Sequence, residues 1–125
     1  MTIRRFVVPV TVDASGDAEE YSPHLSGKLV SMRYVKDDFA DGVDFTITAE
    51  DTGETIWTEE NVNASATRHP RAATHSTAGA AALYASGGTA VNDKIALSQD
   101  RVKIVVASGG NATSGEFHIT VDDGR

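Results

Sequence analysis

"RVKIVVASGGNATSGEFHITV", residues 101–121, holds two runs of alternating residues around a glycine-rich break. In the first run Val102, Ile104 and Val106 fall on one side, with Arg101 and Lys103 on the other. In the second, Phe117, Ile119 and Val121 alternate with Glu116, His118 and Thr120. Successive side chains of an extended chain point to opposite faces, so a period of two describes a strand with one face on a core and one in water. "VDFTITA" (43–49) repeats the pattern with Val43, Phe45, Ile47 and Ala49 inward. "RFVVPVTV" (5–12) does so with Phe6, Val8, Val10 and Val12. Half-buried strands of this kind belong to antiparallel sheets.

Turn signals separate the runs at short intervals: "DASGD", "YSPHLSG", "DDFADG", "EDTGE", "SGGTAVND", "SQD" and "SGGNATSG". Many short strands at that spacing predict an all-β fold, an antiparallel β-sandwich that is jelly-roll-like, as a single domain over 1–125. Strands are expected near 3–12, 27–36, 43–49, 53–59, 62–69, 94–98, 101–107 and 115–121, with a weaker one near 80–85. "RAATHSTAGAAALYASGG" (71–88) is alanine-rich, but its glycines and threonines argue against a long helix. It reads as an extended loop or arm with a brief strand, and a loop of that length usually contacts something.

Composition bounds the chemistry. Hydrophobic residues make up 40% of 125, enough for a core. The absence of cysteine excludes disulfides, thiolate metal sites and a cysteine nucleophile. "FVVPV" and "IVVA" are far shorter than the roughly 18 apolar residues of a membrane span. Arg4 and Arg5 precede an apolar run, but that run reaches Thr11 and Asp13 without a small-residue cleavage site, so it reads as the first strand. The net charge is −7, and residues 37–61 carry nine acidic residues with no Lys or Arg. Such a field repels phosphate backbones, so nucleic acid is not an expected partner. The segment reads as a solvated hairpin or as a docking face for a basic partner.

The densest acidic stretch is "DDFADGVD" (37–44). As a calcium loop starting at Asp37, it would place Phe39 at position 3 and Thr48 at position 12, where oxygen ligands are required. Its flanks read as strands, so a hairpin turn with positive φ at Gly42 is the better account. His24, His69, His75 and His118 show no metal-ligand spacing. No G-x-S-x-G elbow is present, and neither "ASGGTA" nor "ASGGNA" is followed by Lys and a helix. No enzyme activity, metal or cofactor is expected. With Ile56 inward, Trp57 falls on the opposite face, as a binding anchor, a sugar-stacking platform or a cap on an open end of the core.

The runs "YVKDDFADGVDFTITAEDTGETIW", "NVNASATRHPRAATHSTAGAAALYASGG" and "DKIALSQDRVKIVVASGGNATSGEFHITV" resemble small all-β virion proteins of tailed bacteriophages, similar to head decoration or cement proteins. The resemblance covers roughly 21–121 and rests on structural rather than catalytic motifs. It implies a jelly-roll-like sandwich and a homo-oligomer, dimer or trimer. It further implies the major capsid protein as partner, and a place on the phage head surface after synthesis in the host cytoplasm. It carries over no catalytic residue. Expected contacts are Arg4 and Arg5 on the first strand, Tyr84 in the 71–88 arm, and Asp37, Asp38, Phe39, Asp41 and Trp57 around the acidic hairpin. The rival expectation is a tail or baseplate module that binds carbohydrate or a receptor.

Overall fold

A computed structural model describes residues 2–124; Met1 and Arg125, the ends of the expected domain, lie outside it. The chain forms β1 (Ile3–Thr11), β2 (Ala18–Tyr21), β3 (Leu25–Val35), β4 (Val43–Ala49), β5 (Thr55–Val62), β6 (Ala66–Arg68), β7 (Arg71–Ala73), β8 (Asn92–Asp100), β9 (Val102–Ala107) and β10 (Ser114–Asp122). The pairings are nested. β4 pairs with β5, β3 with β8, β2 with β9 and β1 with β10, all antiparallel. Lateral pairs β10–β3 and β9–β4 then close two sheets, ordered β1-β10-β3-β8-β7 and β2-β9-β4-β5. A hairpin rolled in this way is a jelly roll. β6 and β7 are inserted between β5 and β8, and β6 takes the half of β3 that β8 leaves free, pairing with Met32–Tyr34.

The period-two reading holds residue by residue in β4, β9 and β10. Val102, Ile104, Val106, Phe117, Ile119, Val121, Val43, Phe45, Ile47 and Ala49 are all buried between the sheets. Val8, Val10 and Val12 are buried with them, and Phe6 is packed against their edge. Tyr34, Phe45 and Phe117 form the centre, with ring centroids 5.2–5.3 Å apart. The Tyr34 hydroxyl is buried with no hydrogen-bond partner. Burial, with a smaller push from Asp41, raises its pKa to about 12. Gly27 marks the tightest backbone approach: its φ is +128°, and a Cβ there would lie 2.1 Å from the Asp122 carbonyl oxygen.

Four expectations are corrected. The 36–42 segment is not a hairpin, because β3 and β4 belong to different sheets. It is a corner between sheets, tied down where the Ala40 N–H donates to the Gly109 carbonyl (2.9 Å). Gly42 does have the expected positive φ (+85°). Phe39 is not an exposed contact. It is 1% exposed, its ring 6.1 Å from that of Tyr34, so the corner's one large apolar side chain plugs the end of the core. Trp57 is 6% exposed and faces inward beside Ile56. The register of β5 shifts between the pairs Ile47↔Trp57 and Thr48↔Thr55, so a bulge admits one extra residue and both neighbours turn to the core. Trp57 meets Phe45 edge-on at 4.7 Å, and its Nε1–H donates to Glu59 (2.9 Å). Finally, β2 and β7 are additional strands, and the strand expected over 62–69 shrinks to β6.

Candidate partner-binding surface

The segment between β7 and β8 is two successive hairpins. His75 bridges Ala81 and Leu83 bridges Ala90. The first turn closes where the Gly79 N–H donates to Ser76 (2.9 Å), with Gly79 at φ +83°. The second closes where the Gly88 N–H donates to Ala85 (2.8 Å), with Gly87 at φ +71°. Those glycines explain why an alanine-rich run makes no helix: each supplies a left-handed residue that a tight turn needs. At the root, three backbone bonds run in a ring. Thr74 N–H donates to Val91, Val91 N–H to Ala82, and Ala82 N–H to Thr74, at 2.8–2.9 Å. The arm is therefore ordered by its backbone, with only its root residues Thr74, Ala82, Ala90 and Val91 half-buried.

Its surface is unusual. Residues 72–92, 21 in all, contain no Asp, Glu, Lys or Arg, where average composition would put about five. Exposed backbone that avoids charge while presenting large apolar side chains is suited to being covered. Tyr84 is 78% exposed and Leu83 44%. Apart from Val105, the remaining large apolar residues exposed among those described are Ile3 (54%) and Val7 (48%) on β1. β1 is the opposite edge of the same sheet, four strand spacings or about 19 Å from β7. Pairing with Asp122 and His118 places Ile3 and Val7 on the outer face of that sheet, together with Arg5, which stands opposite Thr120. The outer face of β1 thus carries Ile3 and Val7 on either side of Arg5. The signal for Val7 lay in "FVVPV" as an unbroken apolar run and that for Leu83 in the charge-free stretch around Tyr84, while Ile3, set apart by Arg4 and Arg5, carried none.

The remaining candidates are dispersed. Arg4 follows the inward phase of β1 but is exposed at the N-terminal end of the strand. There it pairs with Asp123 (2.5 Å) at the mouth of a wide cavity of about 510 Å³ that also borders Phe6, His24 and Gln99. Arg5 has no ion-pair partner among the described residues. In the acidic corner the carboxylates are largely engaged in holding the loop. Asp38 accepts the Ser114 N–H, Asp41 pairs with Lys36 (2.8 Å), and Asp44 accepts the Asn61 N–H (2.8 Å). Asp37 is exposed at φ +46°. No group of three or more potential metal ligands is assembled among the described residues.

Charge on the outer face of the four-stranded sheet is also matched internally. The Tyr21 hydroxyl donates to Glu19 (2.6 Å), which holds the Glu19 carboxyl below its ordinary pKa, with Lys103 contributing. The same bond raises the Tyr21 pKa. Arg101 stacks over Tyr21 at 4.1 Å and binds Glu50 through two bonds of 3.0 and 2.5 Å, which raises its own pKa. No protein-family profile, curated protein or solved structure matches this chain.

Proposed function

We propose that this protein is a non-enzymatic structural component of a tailed-phage particle, a decoration or cement protein that binds the outer head surface and stabilises the shell. The observation that supports the reading is the placement of exposed apolar side chains on β1 and on the arm that follows β7, at opposite edges of one sheet. A bridging protein needs a stiff body with contacts on both sides, and many modest contacts multiply across a repeating lattice. The resemblance of residues 21–121 to small virion proteins supplies the particle, and with it the major capsid protein as partner. Jelly rolls occur in viral capsid proteins and also in lectins, so the fold alone is support by analogy. The rival reading, a carbohydrate-binding tail module, is weakened because Trp57, its candidate stacking platform, is in the core.

The test is binding of purified protein to empty heads and, separately, to isolated tails, followed by heat challenge of the heads. Saturable attachment to heads, with greater survival on heating, is expected. Attachment to tails alone would overturn the reading.

A further inference from the structure

We infer that the two apolar edges of the six-stranded sheet are the two halves of one interface, the arm of each copy docking against β1 of the next. This rests on reading those edges as contact elements, as under the proposed function, and it names their occupant as a second copy of the chain.

Two observations weigh against the simpler pairings, and a third limits the extent of the contact. In an antiparallel self-pairing of Ile3–Val7, Arg5 would face the Arg5 of the other copy, and like charges directly opposite are unfavourable. An arm-to-arm pairing would leave Ile3 and Val7 exposed. Pro9 lacks an N–H and sits on the edge strand, which blocks strand addition along its second half and confines contact to Ile3–Val7.

The arm is complementary to what remains. It offers Leu83 and Tyr84 to the apolar residues of β1, and its charge-free surface sets no cation against Arg5. Tyr84 presents a ring to that guanidinium. The molecule already uses this chemistry twice, with Arg101 at 4.1 Å over Tyr21 and Arg68 at 5.8 Å over Trp57. Because the two patches differ, the contact is heterologous, so it propagates head to tail and closes into a ring where the rotation allows.

The chain has no cysteine, so a single introduced cysteine reports one position without background. Full-length Val7→Cys and Tyr84→Cys, both at exposed sites, would be oxidised separately and as an equal mixture, in solution and on heads. The mixture should give a disulfide-linked mixed dimer in several-fold higher yield than either variant alone. Arg5→Glu and Tyr84→Ala, tested in the otherwise unaltered protein, should each weaken self-association by about tenfold. Self-linking of Val7→Cys as efficient as the mixture would mean two-fold pairing and overturn the inference. Absence of the mixed dimer in both settings would do the same. Attachment to heads without the mixed dimer removes this inference and leaves the proposed function standing; the mixed dimer without attachment does the reverse.

Discussion

Tyr34 and Tyr84 show how differently this chain uses one residue type. Tyr34 is wholly buried and its ring lies within about 6 Å of Phe39, Phe45 and Phe117. Tyr84 is 78% exposed on an arm whose order comes from two turns and a ring of three backbone bonds. In the first region side chains far apart in sequence hold one another, so a change of volume is transmitted to every neighbour. In the second the backbone holds itself, and the side chains are free to meet something else. Stability and contact are therefore assigned to separate residues, which makes the contrast testable.

The largest expected effect is Phe45→Ala. Its ring touches Tyr34, Trp57 and Phe117, and a cavity there should cost about 3–5 kcal/mol, read from the denaturant midpoint. A cost below 1 kcal/mol would mean that the centre is not close-packed. Next is Gly115→Ala, whose new Cβ would come 2.5 Å from the Phe39 ring and 3.0 Å from the Val35 carbonyl oxygen. Overpacking should cost about 1–3 kcal/mol, and no loss at all would return Phe39 to the surface.

Tyr34→Phe is expected to work in the other direction, adding about 1 kcal/mol, because it removes a buried hydroxyl that has no partner. It should also alter the alkaline limb of stability. Above pH 10 the unfolded chain releases the phenolic proton while the folded protein keeps it until about pH 12. The unfolded state then binds fewer protons, so stability falls as pH rises through that window. The difference between wild type and Tyr34→Phe isolates this contribution from that of the other tyrosines. A parallel pair of stability curves would contradict it.

The smallest effect on stability is expected at the arm. Replacing residues 75–90 by a two-residue Asn-Gly turn retains the Thr74–Val91 bond and removes only exposed or half-buried groups. The denaturant midpoint should move by no more than the equivalent of about 0.5 kcal/mol, while self-association is lost. A large loss of stability would show that the arm belongs to the core after all.

The long strands were readable from the chain because their inward and outward residues alternate without interruption, as in Val43–Ala49 and Ser114–Asp122. Trp57 was not, because a bulge breaks the alternation one residue before it, and whether a bulge forms depends on how β4 pairs with β5. Phe39 was not, because "DDFADG" is a polar turn by composition, and only the approach of the two sheets gives its one aromatic ring a place to go. Strand β2, four residues long, exists because β9 is there to pair with it.

By itself the sequence determined the fold class, the inward faces of β1, β4, β9 and β10 and the lack of thiol chemistry, since these follow from the period of the backbone and from composition. The tertiary structure decided which strands are neighbours, and so that β1 and the arm stand at opposite edges of one sheet. Exposure depends on what is packed alongside, and partners across these sheets are up to 119 positions apart in the chain. No local pattern encodes that distance. It is set by the nesting of the strands as the hairpin rolls up.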